Sequence, residues 1–106
     1  MDILSNINLL TDTLLELRES AMRIASEDDL RKIMDKYNML FLGKEFNKVY
    51  ARELHHYMKE NLGLSLSLED FLNLVPDACG TLKMPYEPMV FVKDLNRLAD
   101  YQITLF

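Results

Sequence analysis

The sequence predicts a mainly α, α+β fold: a helical hairpin over residues 1–43, then a helix-strand-helix-helix unit over 44–106 that closes with a C-terminal β-hairpin. Three observations predict it. Ile3, Ile7, Leu10, Leu14, Leu17, Ala21 and Ile24 recur at alternating steps of four and three, the rhythm of a helix with one apolar seam. Ser26 and Ser67 each stand before an acidic turn, the signature of a capped helix start. After Pro85 and Pro88, Met89–Val92 is apolar and β-branched, and Tyr101, Ile103 and Leu105 alternate with polar residues, which reads as two strands. A chain of 106 residues fits one domain, 1–106, and is too short for two cores of ordinary size.

The first helix carries more apolar surface than a coiled-coil stripe needs. Leu4, Leu9, Leu15 and Met22 lie off the seam and widen it, so packing inside a bundle is favoured over a dimeric coil. A homodimer through residues 3–24 is the alternative. The chain is expected to turn at Ser26, where Glu27, Asp28 and Asp29 match the positive end of a new helix dipole. Leu30, Ile33, Met34, Tyr37, Leu40 and Phe41 give that second helix its apolar face, and Gly43 suits a left-handed closing position.

A third helix is predicted over 45–61, with Phe46, Val49, Tyr50, Leu54, Tyr57 and Met58 on one face and Asn61-Leu62-Gly63 as its end. Leu64-Ser65-Leu66 alternates like a short strand. Ser67 then caps a fourth helix, limited to 68–74 because Pro76 disfavours helical geometry in the residue before it. Pro76 suits the first position of a fifth, short helix through Lys83. Val92 to Tyr101 is expected as a connection with a helical turn at 94–99.

The order of elements from residue 44 to 106 resembles the winged variant of the helix-turn-helix fold, a likeness of topology without a sequence fingerprint. In that fold the helix after the turn commonly enters the major groove and the hairpin touches backbone. Here the corresponding stretch, Pro76 to Met84, offers Asp77, Thr81 and Lys83, with no Arg, Asn or Gln to read base edges. The wing offers Lys93, Asn96 and Arg97. Such chemistry suits protein contact at least as well as DNA.

Composition points the same way. Twelve basic against seventeen acidic side chains give a net charge of -5, which disfavours non-specific attraction to phosphate backbones. The excess is diffuse, since residues 1–43 hold five basic and eight acidic groups and the rest seven and nine. Cys79 is the single cysteine, so no intramolecular disulfide forms and a reducing, cytoplasmic setting is expected. The N-terminal residues lack a basic signal region, and the apolar runs fall far short of a membrane span.

Against the net charge, Lys44, Lys48, Arg52, His55 and Lys59 follow steps of four, four, three and four and would share one helical face. Together with Lys93 and Arg97 they are the candidate nucleic-acid or anion-binding residues; a solvated face neutralised by nearby acids is the plainer account. Tyr50, Tyr57, Tyr86 and Tyr101 are the candidate partner contacts, because tyrosine joins large area to a polar handle. The seven methionines suit adaptable packing.

Catalytic constellations are not evident. Glu53, His56 and Glu60 share a face, but Glu-x-x-His is only half of a di-metal ligand set, and His55 points about 100° away on an ideal helix. No metal and no cofactor are expected. Cys79 near the start of a short helix would be activated, whereas a lone cysteine between Ala78 and Gly80 is more often a small buried group. The reading is a small acidic non-enzymatic module that occupies a protein partner, as regulatory subunits, adaptors and mobile-element inhibitors do. A winged-helix nucleic-acid-binding regulator is the alternative.

Overall fold

The computed structural model describes residues 3–106, with side chains from Ser5 onward. Among them, four helices and one antiparallel sheet run in the order α1 (Ile3–Met22), α2 (Glu27–Tyr37), β1 (Lys48–Tyr50), α3 (Ala51–Asn61), α4 (Leu68–Leu82), β2 (Tyr86–Phe91) and β3 (Asp94–Thr104). The fold is α+β with a C-terminal hairpin, as the sequence predicts.

The middle of the α1 heptad seam, Leu10 to Ala21, is buried within the chain itself, while Ile7 and Ile24 are half-buried. Leu10, Leu14 and Leu17 are fully buried and Ala21 nearly so, while Asn8, Asp12, Glu16 and Glu19 face solvent. Burying each leucine contributes about 1.5–3 kcal/mol of transfer free energy, and α4 is the main helix against which α1 packs. Of the off-seam residues, Leu9 and Leu15 are half-buried and Met22 is exposed. The side chains of Ile3 and Leu4 lie outside the described residues.

At Ser26 the chain turns as expected: the Ser26 hydroxyl accepts from Asp29 N at 3.2 Å, and Asp29 Oδ2 reaches back to accept from Ala25 N at 3.0 Å. Tyr37, fully buried, ties the end of α2 to α1. Its hydroxyl donates to Glu16 Oε2 at 2.9 Å and accepts from Ser20 Oγ at 3.0 Å, while its ring meets Tyr57 edge-on at 5.2 Å. The helix stops there, earlier than Gly43, because Asn38 takes the left-handed conformation and its N–H bonds Met34 O. Leu40 is consequently exposed and Phe41 buried.

Four further expectations are corrected. Residues 45–47 are not helical: 43–46 form a turn closed by Phe46 N donating to Gly43 O, and Lys48–Tyr50 is a strand. Pairing decides this, since Val49 lies opposite Ile103, both fully buried, and Leu42 bridges Lys48. Residues 64–66 form no strand, because Leu64 turns into the core and no neighbouring strand is there to pair with. The helices expected on either side of Pro76 are one helix, α4, capped by Ser67 Oγ accepting from Asp70 N at 3.1 Å. Phe71, Leu72, Val75, Ala78 and Cys79 make one continuous buried face across the proline, and that burial outweighs the lost backbone bond.

The fourth correction concerns residues 94–99, which are strand. Val92 and Lys93 alone form the turn, and β3 begins at Asp94. β3 is central in the order β1-β3-β2, so β2 is an edge, where Pro88 costs no ladder bond the sheet requires. Pairing is regular from Tyr86↔Ile103 to Met89↔Asp100 and then slips twice towards the tip. Core residues from α1, α2, β1, α3, α4 and β3 form one apolar cluster. No helix among the described residues is long and apolar enough to cross a membrane.

Candidate interaction surface

The buried face of α4 fixes what the helix offers outward. Phe71, Val75, Ala78 and Cys79 point into the core, which leaves Glu69, Asp70, Asn73 and Asp77 exposed. This face is acidic along its first three turns. Beside it stands the hairpin, whose outer half carries solvent-facing aliphatic groups among polar ones: Val92 is 93% exposed, Leu95 71% and Val90 44%. Exposed aliphatic groups clustered at a hairpin tip mark a contact surface more often than isolated ones do.

Between the first turns of α4 and the hairpin runs a groove of about 450 Å³. Leu68 and Leu72 form its helix side, and Phe91 and Leu98 its strand side. Polar groups converge on it from three elements: Arg52 from α3, Asn73 from α4, and Asn96 and Arg97 from β3. Arg52 is held in place by Nε donating to Ala99 O at 2.6 Å. Arg97 stacks on the Phe91 ring, 4.9 Å from the guanidinium carbon to the centroid.

The basic residues do not share a helical face. Lys44 sits in the 43–46 turn and Lys48 on β1, so only Arg52, His55 and Lys59 belong to α3. His55 Nε2 bonds Leu66 O at 2.7 Å and its ring packs 5.0 Å from Phe71, a structural role that anchors the 62–67 connection. Lys59 is exposed, and Lys93 occupies the hairpin turn. Arg52 and Arg97, both among the anion-binding candidates read from the sequence, line the same groove. Asn73 was missed as a lining residue, because a polar position between Leu72 and Leu74 is a signal too common to single out, and Asn96 was read only as part of the wing.

Among the tyrosines, Tyr86 is the most exposed and rests edge-on against Tyr101 at 5.5 Å. Tyr50, Tyr57 and Tyr101 are half-buried. Burial pushes the Tyr57 hydroxyl above its ordinary range, with Glu16 adding to the effect, and burial does the same to Tyr101 with help from Tyr86.

Glu53 is committed elsewhere, since its Oε1 accepts from Leu40 N at 2.6 Å. Three or more His, Cys, Asp or Glu side chains do not cluster as a metal site among the described residues. Cys79 lies in the last turns of the long α4, not near a helix start, and is fully buried. Burial pushes its thiol up to about 11, the opposite of an activated nucleophile. Comparison with family models, with curated proteins and with solved structures finds no match for this chain.

Proposed function

We propose that this chain is a non-catalytic protein-binding module that uses the outward face of α4 and the adjoining hairpin to occupy a basic, partly apolar surface of a partner. The observation that carries this reading is the pairing of Glu69, Asp70 and Asp77 with exposed Val92 and Leu95. Acids give orientation and encounter rate with a basic partner, and the aliphatic tip supplies area to remove from water. A regulatory subunit, adaptor or inhibitor works through such a surface.

The alternative is a winged-helix nucleic-acid binder. The order helix, strand, helix, helix, strand, strand with β3 central supports a winged-helix reading, in which α4 would be the recognition helix. Its exposed acids oppose the phosphate backbone, and this favours the protein reading. Mobility shift with duplex DNA and with RNA at low salt separates the two. The expected outcome is no shift at micromolar protein, together with a stoichiometric protein partner retained by the wild type and lost by Val92→Asp and by Asp77→Lys. Salt-dependent nucleic-acid binding, with no protein partner recovered, overturns the proposal.

A further inference from the structure

The groove between α4 and the hairpin holds two positioned guanidinium groups without counter-ions. Arg52 is tied to β3 twice, through Nε to Ala99 O at 2.6 Å and through its backbone N–H to Asp100 Oδ1 at 2.9 Å. Its terminal nitrogens remain available. The Arg97 guanidinium carbon lies 4.9 Å from the centroid of the Phe91 ring, a cation–π contact that positions the group while its N–H donors make no hydrogen bond to the described residues. Among the described residues the side-chain ion pairs are Arg23–Glu19 and Lys32–Asp28, so no carboxylate oxygen lies within 4.0 Å of a guanidinium nitrogen of Arg52 or Arg97.

Surface arginines that merely balance charge usually swing freely, whereas both of these are pre-organised towards one concavity. Pre-organisation lowers the entropy lost when an oxyanion is gripped. Asn73 and Asn96 add neutral N–H donors on facing walls, and Leu68, Leu72 and Leu98 add an apolar lining. Among the described residues Glu69 is the one carboxylate lining the groove, and Asp100 spends Oδ1 on the backbone N–H groups of Arg52 and Tyr101. The volume of about 450 Å³ falls within the range of roughly 300–1,000 Å³ typical of small-ligand sites.

We propose that this groove binds a small phosphate monoester, its dianionic phosphate held between Arg52 and Arg97 and its less polar body resting on Leu68, Leu72 and Leu98. Two guanidinium forks match a dianion in charge and geometry better than they match a single carboxylate. The site adjoins the acidic face of α4, with which it shares Glu69 and Asn73, and goes beyond the protein-binding reading. A free metabolite and a phosphorylated side chain of a partner carry the same chemistry, and the experiment distinguishes them.

Calorimetric titration of the whole chain with adenosine 5′-monophosphate, with a phosphoserine peptide and its unphosphorylated counterpart, and with inorganic sulfate tests the proposal. Saturable one-to-one binding of the nucleotide or the phosphopeptide is expected, weakened about tenfold or more by Arg97→Gln and less by Arg97→Lys. Nucleotide binding with a weaker peptide assigns a free ligand; peptide binding alone assigns a modified partner. Arg52→Gln is the second variant, with circular dichroism verifying that the hairpin keeps its fold. Binding unchanged in both Gln variants, sulfate binding as tight as either organic phosphate, or no binding by either organic phosphate overturns the proposal. So does binding of duplex DNA alone, which would assign the arginines to a nucleic-acid backbone.

Discussion

Leu14→Ala is the sharpest test of how α1 satisfies its heptad seam. The side chain is 0% exposed within a single chain, on the face of α1 that packs against α4, so truncation removes its whole transfer term and leaves a cavity. The cost for a site of this kind is about 2–5 kcal/mol. For a chain of this size that is roughly 10–20 °C of melting temperature, and a large share of the total stability of an ordinary domain. Urea denaturation followed by circular dichroism measures it, with light scattering over a concentration series run in parallel. Met22→Ala, at a position 62% exposed, is the control and should change stability by less than about 0.5 kcal/mol. If Leu14→Ala instead leaves subunit stability intact and dissociates a dimer, the seam is an intersubunit interface and the packing argument fails.

Other residues report on separate parts of the argument. Ser67→Ala should cost about 1 kcal/mol in urea denaturation, because α4 loses the oxygen that accepts from Asp70 N; an unchanged midpoint would mean the cap contributes nothing. Pro76→Ala should stabilise the chain by up to about 3 kcal/mol, since alanine restores a helical N–H at that position, and a lower midpoint would show that the proline ring itself is packed to advantage. Burial holds the Cys79 proton in the folded state up to about pH 11, whereas the unfolded thiol ionises near its ordinary value of 9.0. The folded pKa is the higher one, so stability is untouched below the unfolded value of 9.0 and falls as pH rises from there to about 11. Comparing wild type with Cys79→Ala across alkaline pH isolates this loss, and a thiol reagent should label the wild type only after unfolding. Equal alkaline profiles would remove burial as the cause.

What the sequence revealed depended on whether a signal was local. Ser26 and Ser67 carry their caps within three residues, and both helix starts lie where the capping pattern puts them. The seam of α1 is likewise a property of one segment. Lys48–Tyr50 was read as helix because Val49, Tyr50, Leu54, Tyr57 and Met58 do fit a helical face; what makes Lys48–Tyr50 a strand is Ile103, far along the chain, pairing with Val49. Residues 94–99 were misread for the same reason, since this outer half of β3 buries little and gains its strand form from pairing with β2, whereas the alternation of Tyr101 and Ile103 already marked the inner half as strand. That Arg52 and Arg97 line one groove was illegible for a third reason: they belong to different elements, and only the antiparallel turn-back of β3 onto the start of α3 brings them to one place.

The single helix across Pro76 also bears on what the surface is for. Two short helices broken at the proline would place Asp77 in a new orientation, apart from Glu69 and Asp70. In the continuous α4, Asn73 and Asp77 follow at four-residue spacing from Glu69, so the acids line up beside the groove on one solvent face. The core-facing residues that hold the helix together across its weak point therefore also set the register of the exposed acids. A ligand carrying phosphate would meet the arginines at one wall of the groove and repulsion from α4 along its length, which limits the anion to one small group. Extended polyanions, whose charge repeats along the chain, would pay that repulsion at each step. If both proposals hold, the helix that faces a basic protein surface would also confine phosphate recognition to the part of the groove lined by Arg52 and Arg97.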